Sequence, residues 1–360
     1  MFRGFVIILF LFPIFLISQS SEDFDVKYSR KPKNWDTLKY HKFETVLIVG
    51  LYQQYRTFNV DFNQLINTDK RGISQHNFIA ESNLVAGVVL NYDKFQFAFG
   101  TSNQPPSNNS GKGYTNMFNL GLNVGDNRWV SENYFRRFKG FYDNNTSSFD
   151  STFKNTGKYY VLPDLVSSLF MTRFMYFKNY KNYCFKSGFG CNYRQLKSAA
   201  TFIFGGSLSY YNLSNDSAMI PIQARSLYND YSNMKGFTSI NIACNVGAAA
   251  TLVIYKAWFI SGYFTVGPEQ QWRTYDLTQS QRSLSYISWS GTGRASMGLN
   301  LKKFYLLYSI MEDYNVYNSK NILSFTANSV TNNFSIGYRF HWKTPKFYQK
   351  FMNTKLYQYL

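Results

Sequence analysis

A two-residue alternation of apolar with small or polar residues, repeated along most of the chain, most constrains how this protein can fold. In residues 239–252, Ile240, Ile242, Val246 and Leu252 fall on one side of the alternation, and small or polar residues dominate the other. A period of two places successive side chains on opposite faces of a β-strand. The same alternation recurs in residues 78–91, 294–301 and 333–340. We therefore expect strands that each have one apolar and one polar face.

The composition suits β-structure at a membrane interface better than helical membrane spans. The sequence has 35 Phe and 30 Tyr residues, and its mean hydropathy is −0.31. Beyond the N-terminus, no segment approaches the roughly 20 consecutive apolar residues of a transmembrane helix. Since backbone groups in hydrocarbon need internal partners, strands cross a membrane only as a closed barrel. The sequence predicts an all-β protein, an antiparallel transmembrane β-barrel of outer-membrane type with about 12–14 strands.

The N-terminus has the parts of a secretion signal. Arg3 precedes an apolar run from Phe5 to Leu16, and Ser18 and Ser20 give the small-x-small pattern that signal peptidase requires. We expect residues 1–20 to be removed on export and the mature chain to reside in the bacterial outer membrane.

The mature chain divides into three predicted parts. Residues 21–42 form a polar periplasmic lead-in, residues 43–342 form the barrel, and residues 343–360 form a basic, aromatic C-terminal extension. Since chain ends usually fray, we expect a loosely packed extension. A basic amphipathic segment on the inner leaflet of the outer membrane and a plug are the alternatives.

Outer-membrane barrels have short periplasmic turns and longer outer loops, which predicts the orientation of the strands. Tight turns are expected near residues 91–94, 125–128, 180–182, 255–256 and 302–303. Long outer loops are expected at residues 61–76, 102–112, 143–165, 268–284 and 315–321. If a poor strand near residues 219–227, interrupted by Pro221, is counted, the expected number is about fourteen strands. Twelve are expected if two short segments are not strands.

The chain is strongly basic, with 38 Lys and Arg residues against 20 Asp and Glu residues. The basic residues are scattered through expected turns and loop flanks, as at Lys302, Lys303, Arg136 and Arg137, without the signature of a nucleic-acid module. We expect anionic membrane lipid, and not nucleic acid, to be the partner of this charge. A small solute or an envelope protein is a further expected partner. We expect a monomer without a cofactor.

Three cysteines remain after the signal. Cys184 and Cys191 flank an expected hairpin and could pair in an oxidising periplasm, which would leave Cys244 over. Equally, all three could serve as small apolar fillers. The spacing of neither the cysteines nor the three histidines resembles a zinc site, so we expect no metal.

Several short motifs resemble those of one uncharacterised family. They are Tyr193-Arg-Gln-Leu-Lys-Ser-Ala199, Phe202-Ile-Phe-Gly-Gly206, Tyr210-Tyr211, Asp216-Ser-Ala-Met-Ile-Pro221 and Lys139-Gly-Phe-Tyr142. With these motifs the chain resembles, over residues 43–342, a Bacteroidota envelope family known as the domain of unknown function forty-four twenty-one. The resemblance implies an outer-membrane β-barrel without an assigned activity and supplies no catalytic residues. The C-terminal extension and the two cysteines near residue 190 depart from the family pattern.

Two groups of residues are candidates for a site. The alternation directs Glu81, Arg294 and Arg339 into the lumen, where they either line a polar pathway or form a salt-bridge network that fills it. We favour the network, because narrow barrels are filled by interior side chains. A second group in a connection between strands could bind an anionic group, or it could be a solvated turn, which we favour. It comprises Arg194, Gln195 and Lys197.

The sequence offers little for catalysis. His76 and His341 lie at expected strand ends, and neither has the spacing of a nucleophile elbow. We therefore expect no enzyme and no catalytic residues. Pore formation, transport or support of the envelope, with outer loops for recognition, is the expected function. A lipid-modifying barrel enzyme is the alternative and needs a Ser, Tyr or carboxylate beside one histidine. A secreted β-sandwich adhesin is the second alternative, and it would be recovered in the soluble fraction.

Overall fold

The computed structural model describes most of the chain after the N-terminal segment. The described residues are 34–43, 46–64, 73–102, 111–255, 257–277, 280–316, 323–355 and 357. The expected signal peptide, residues 1–20, and the first part of the expected lead-in, through residue 33, lie outside the described residues.

Twelve antiparallel strands close into one barrel, and two three-residue strands form a separate two-stranded sheet. The short pair is β1 (Tyr40–Lys42) and β8 (Tyr193–Gln195). The barrel strands are β2 (Val46–Gln64), β3 (Gln75–Tyr92), β4 (Phe95–Thr101), β5 (Asn116–Gly125), β6 (Trp129–Asp143), β7 (Tyr160–Phe177), β9 (Ala199–Ser214), β10 (Met234–Ile254), β11 (Trp258–Leu277), β12 (Gln281–Asn300), β13 (Phe304–Val316) and β14 (Leu323–His341). Each barrel strand pairs with the next, and β14 closes on β2. The expected outer-membrane type of barrel is confirmed, with twelve strands in its wall.

The helices are short and lie between strands or after the last one. They are α1 (Thr146–Phe149), α2 (Phe153–Thr156), α3 (Phe185–Phe189) and α4 (Lys346–Met352), with 3₁₀ turns at Arg225–Leu227 and Asn229–Tyr231. Within the described ranges, none of the helices has the length and apolar character of a membrane span.

The two faces of the strands differ as a barrel in lipid requires. In β10, Ser239, Asn241 and Thr251 are buried inside, whereas Ile242 and Val246 are exposed on the outside. Outward aromatic residues also mark the rims, as interfacial girdles do. They are Tyr338, Phe340 and Trp342 at the end of β14, and Trp272 and Trp289 towards the other end.

One face assignment from the sequence is wrong. A single alternation over residues 78–91 places Phe78 and Ala80 on the lipid-facing side with Leu84 and Val88. In the structure Phe78 and Ala80 are fully buried inside the barrel, whereas Leu84 and Val88 are exposed. The pairing of β3 with β2 contains a β-bulge, because Gln54 and Arg56 face Val85 and Ser82, so two residues of β3 oppose one of β2. Because of the extra residue, even-numbered side chains of β3 point into the barrel before the bulge and away from it after the bulge. A single alternation therefore could not describe both halves of β3.

The connections differ in length between the two ends of the barrel. One end has tight turns at residues 93–94, 126–128, 255–257 and 301–303, and the other has connections at residues 65–74, 102–115, 144–159, 215–233, 278–280 and 317–322. The end with short turns is therefore the periplasmic end. Three expectations were wrong: the turn at 180–182 is part of a 21-residue connection, residues 268–284 lie mostly in β11 and β12, and residues 219–227 form no strand.

The barrel narrows towards its outer end, because β4 and β5 are short. Above them β3 pairs directly with β6, through Phe78 with Asp143 and Ile79 with Tyr142. Ten strands therefore close the wall at this level. A narrower wall brings opposite side chains into contact and allows the lumen to be filled by them.

Candidate functional site

The periplasmic half of the lumen is occupied by residues 178–198, here called the plug. The plug joins β7 to β9, yet these strands are direct antiparallel neighbours, with Phe177 opposite Ile203. It is therefore an insertion into what would otherwise be a hairpin turn. Every residue from 183 to 195 is buried. Inside the barrel the plug forms α3 and β8, and β8 pairs with β1 of the lead-in.

Polar side chains of the wall hold the plug by its backbone carbonyls. Asn91 donates to the carbonyl of Gly190 at 2.9 Å, and Ser296 donates to that of Gly188 at 2.8 Å. Asn300 donates to the carbonyl of Tyr193 at 2.9 Å. Arg339 donates to the carbonyl of Cys191. These bonds satisfy buried backbone carbonyl groups of the plug.

The plug also approaches the wall closely at Gly188. A Cβ atom at this position would lie 2.3 Å from the Oγ atom of Ser261. Real contacts at that distance do not occur, so a larger residue at Gly188 forces the plug or the wall to move. Of the two glycines in the plug, Gly188 has the closer contact, since an added Cβ atom at Gly190 would lie 3.3 Å from its nearest neighbours.

Above the plug lies a chain of buried ion pairs, here called the ionic layer. Asp313 accepts from Arg136 at 3.0 Å and from Arg173 at 3.1 Å. Glu132 accepts from Arg173 at 3.4 Å and from Arg294 at 3.3 Å. The pairs therefore join strands β6, β7, β12 and β13 across the lumen. The guanidinium of Arg294 also stacks on the plug, 4.7 Å from the ring centroid of Phe189.

The lumen carries an excess of positive charge at this level. Among the described inward side chains of the middle region, five guanidinium groups accompany three carboxylates; they are Arg56, Arg136, Arg173, Arg273 and Arg294, with Glu132, Glu269 and Asp313. Rings of Arg or Lys are the feature by which pores select anions. The cavity among these side chains measures about 10 Å³, which is room for about one water molecule. This cavity, which is lined in part by Arg173, Glu269 and Asp313, is too small to hold a solute.

The outer half of the lumen is filled by the aromatic side chains of the barrel itself. Phe325 stacks on Phe62 with ring centroids 4.7 Å apart and meets Phe237 edge-on at 4.6 Å. Residues 215–233, here called the cap, fold onto this core and bury Met219, Ile220, Ala224, Tyr228 and Tyr231 in it. Since Gly236 of β10 pairs with Ser214 of β9, the cap is also an insertion into a hairpin.

His76 lies beneath the cap and has a carboxylate partner. Its Nδ1 atom is 2.6 Å from Asp143, and both side chains are fully buried. Tyr228 and Phe149 pack against the ring, and within the described chain its Nε2 atom has no hydrogen-bond partner. One condition for a catalytic histidine, a nearby carboxylate, is therefore present at His76. A substrate has no access to it while the cap is closed. His341 is exposed at the end of β14.

The expected lumen residues do not form one group. Arg294 belongs to the ionic layer, whereas Arg339 holds the plug and donates to Asn300 at 2.6 Å. The side chain of Glu81 lies outside the described residues, and in the described part of the lumen the carboxylates of Glu132 and Asp313 pair with arginine.

The second expected group is not a binding surface. Arg194 and Gln195 are buried in β8, and only Lys197 is exposed. The Gln195 amide bonds to backbone, accepting from the amide of Cys184 at 3.1 Å and donating to the carbonyl of Asn182 at 2.6 Å. The three residues therefore neither form a solvated turn nor converge on a ligand.

Cys184 and Cys191 are free thiols in separate apolar clusters of the plug region. Cys184 packs with Tyr40 and Tyr193, and Cys191 packs with Ile48 and Phe259. The third thiol, Cys244, is exposed on the outside of the wall.

Sequence reasoning missed most of the ionic layer. Arg136 was expected at a loop flank but faces inward from the middle of β6, and Arg173 faces inward from β7. Both strands carry aromatic residues on both faces, as with Phe135 and Phe138. The residue pattern of these strands therefore does not distinguish the lumen face from the lipid face. Only their ion-pair partners across the lumen identify Arg136 and Arg173 as inward residues.

A cavity of about 1040 Å³ lies on the lipid-facing wall and not in the lumen. Small residues from four neighbouring strands form its floor; they include Ala200, Ala250, Gly262 and Ala295, which are paired in register. It follows that this groove is no part of a path through the barrel.

One family matches the sequence, that described as Domain of unknown function (DUF4421), over residues 36–340. No curated protein matches the chain. Among solved structures, the chain is similar to the outer membrane protease OmpT from Escherichia coli, at 6% identity and a TM-score of 0.39, over 82% of this chain and 97% of that one. It is also similar to the translocator domain of the autotransporter NalP from Neisseria meningitidis, at 9% identity and a TM-score of 0.32, over 81% and 88%. The P. putida toluene transporter TodX matches at 6% identity and a TM-score of 0.27, over 83% and 91%. Scores this low transfer no activity to this chain.

Proposed function

The chain belongs to the DUF4421 family, and we propose that it acts in the outer membrane as a gated transporter of small anionic solutes. The observation that carries the proposal is a lumen with excess guanidinium groups, closed from the periplasm by a segment that the wall does not need. Since β7 and β9 pair without it, the plug can leave while the barrel stays closed on itself.

The guanidinium groups give the open lumen its preference for anions. Arg173 and Arg294 share Glu132, and Arg136 and Arg173 share Asp313. With the plug displaced, water enters the layer and an anion can take a place beside the arginines, which are in excess over carboxylates. The cap is the gate on the outer side. Tyr228 ties it to the wall by donating to the carbonyl of Phe62 in β2 at 3.2 Å.

Conductance in planar bilayers tests the proposal. The wild type is compared with a variant in which residues 180–197 are replaced by a short Gly-Ser turn, and with a second that also lacks cap residues 216–232. We expect rare opening of the wild type and frequent, anion-selective opening after removal of plug and cap. Silence of both variants, with heat-modifiable migration retained, would leave a filled barrel that supports the envelope.

A measurement of ion selectivity distinguishes the effect of the lumen arginines from that of general surface charge. In the variant without plug and cap, we expect Arg294→Gln to shift the reversal potential in a salt gradient towards cations. Lys303→Gln removes the same charge from an exposed turn at the periplasmic rim and should leave the reversal potential unchanged. Equal shifts from both variants would contradict selection inside the lumen.

Export through a cleaved signal peptide and a monomeric barrel belong to the same proposal. The apolar run after Arg3 supports the first. The mass of the N-terminal peptide from the membrane fraction tests cleavage after Ser20, and the mass of the protein in lipid nanodiscs tests the monomer.

A lipid-modifying enzyme is the second candidate, favoured by one observation, the buried pair of His76 and Asp143. A variant with the cap removed exposes this pair. Hydrolysis of phospholipid by that variant, lost in His76→Gln, would favour the enzyme over the transporter.

A further inference from the structure

The C-terminal residues 343–357, here called the tail, dock on the periplasmic end of the barrel instead of fraying. Tyr348 and Tyr357 both donate to the carboxylate of Asp93 in the turn between β3 and β4, at 2.8 and 2.5 Å. The ring of Phe351 packs 6.1 Å from that of Phe95. One side of α4 is therefore held against the barrel rim.

The remaining surface of the tail is basic and carries exposed apolar groups. Phe347 is 73% exposed and Met352 is 39% exposed. Helical geometry places Lys346 and Lys350, four residues apart, on one face, with Phe347 between that face and the packed one. From residue 343 to the C-terminus the sequence has four lysines and no acidic residue. Such a combination of exposed aromatic and lysine side chains is that of a segment lying in a membrane interface.

The tail continues the lipid-facing surface of the last strand. Tyr338, Phe340 and Trp342 are exposed on the outside of β14 immediately before it. These aromatic residues belong to the periplasmic girdle, where acyl chains meet headgroups. The Phe347 side chain therefore follows directly on residues that already contact lipid.

We propose that the tail binds the headgroups of anionic phospholipids in the periplasmic leaflet. Phe347 enters the acyl boundary, and the tail lysines lie at the level of the lipid phosphates. Each lysine near an anionic surface adds to the attraction, and this contribution falls with added salt. This inference does not depend on the transport function.

Hydrogen exchange of residues 343–357, measured on the full chain in lipid nanodiscs, tests the proposal. We expect exchange to be about tenfold slower in discs containing phosphatidylglycerol than in discs of phosphatidylcholine alone, a factor equivalent to about 1.4 kcal/mol. The difference should disappear at high salt. Equal exchange in both kinds of disc would overturn the proposal, since the contacts to Asp93 alone would then account for the order of the tail.

Matched variants locate the effect. Lys346→Gln with Lys350→Gln should remove the difference between the two lipids, whereas Lys154→Gln with Lys158→Gln should leave it intact. All four lysines are exposed, and the control pair lies in the outer connection between β6 and β7. Loss of the difference in the control pair would show a general charge effect and contradict a site on the tail.

Discussion

The two halves of the lumen are closed in different ways. The outer half is filled by aromatic side chains of the wall, such as Phe325, under the cap. The periplasmic half is filled by a chain segment, the plug, which wall side chains hold by its carbonyl groups. Side chains of the wall are part of the barrel's own stability, whereas an inserted segment can be separated from it. We therefore expect the plug to move more readily than the aromatic core of the outer half.

The largest expected effect concerns the outer half. Phe325→Ala removes a fully buried ring between Phe62 and Phe237. We expect the free energy of unfolding to fall by about 4 kcal/mol, as for other buried aromatic truncations. Urea unfolding in lipid vesicles measures it. Phe264→Ala, on the lipid face, is the control, and we expect it to lower the free energy of unfolding clearly less. A similar cost for both would contradict the expected rigidity of the outer core.

The ionic layer, between the two halves, should be nearly as sensitive. Arg173→Met leaves Glu132 and Asp313 each without one guanidinium partner in a buried position. Removal of one partner from a buried ion pair costs about 3 kcal/mol or more. The same unfolding measurement tests it, with Arg137→Met, at an outward position of β6, as the control. If the two variants unfold alike, the layer is hydrated and not packed.

At the periplasmic rim, Asp93 should give a pH-dependent contribution. Burial raises the pKa of Asp93, but Lys42 and the hydroxyls of Tyr357 and Tyr348 lower it by more than that. The pKa therefore lies at about 2. A carboxyl group whose pKa is lowered on folding stabilises the fold above its unfolded pKa, near 3.9, and loses this contribution as the pH falls through the folded value. The shift corresponds to about 2 kcal/mol.

Unfolding of the wild type and Asp93→Asn across acid pH tests this contribution. The two proteins should differ by about 2 kcal/mol above pH ~4 and converge near pH ~2. Asp230→Asn changes a carboxylate that is 75% exposed and should differ little from the wild type at any pH. A difference between wild type and Asp93→Asn that persists below pH ~2 would contradict the assignment to this group.

The last expected effect concerns the plug itself. Gly188→Ala forces a methyl group against Ser261, and overpacking of this kind costs roughly 1–3 kcal/mol. The barrel should remain folded while the plug opens more often. Burial raises the pKa of the Cys184 thiol to about 12, which keeps it unreactive in the closed state. A polar maleimide, applied in a Cys244→Ser background, should therefore label Cys184 and Cys191 about tenfold faster in the variant.

Gly293→Ala is the matched control for that labelling experiment. Around the added Cβ atom of residue 293 nothing lies within 4 Å. Its labelling rate should equal that of the background. If Gly188→Ala also labels at the background rate while its stability falls, the plug is as fixed as the outer core, and the contrast between the two halves fails.

The sequence was sufficient for the wall and insufficient for the lumen. Alternation identified the outer and inner faces of β10 and β14, because each of these strands has an apolar and a small or polar face. In β3 a bulge changes the faces, and no local residue pattern marks it. In β6 and β7 both faces carry apolar residues, so Arg136 and Arg173 could be placed only by partners far along the chain.

The plug was missed for a different reason. Residues 183–195 contain aromatic residues and glycines, as strands and turns of the barrel also do. What separates the plug from a hairpin is the direct pairing of β7 with β9, which is a property of strand order. Likewise, the docking of Tyr348 on Asp93 joins residues 255 positions apart. Local pattern carries no information about either.

The attachment of the plug at both ends has a kinetic consequence. Because residues 178 and 198 continue into neighbouring strands, a displaced plug stays beside the lumen it has left. A short tether keeps a segment at an effective concentration of the order of millimolar at its own binding site. Reclosure is then a first-order event that does not depend on the amount of protein in the membrane. Each opening would end by itself, so the envelope would be exposed to leakage only for the lifetime of a single excursion.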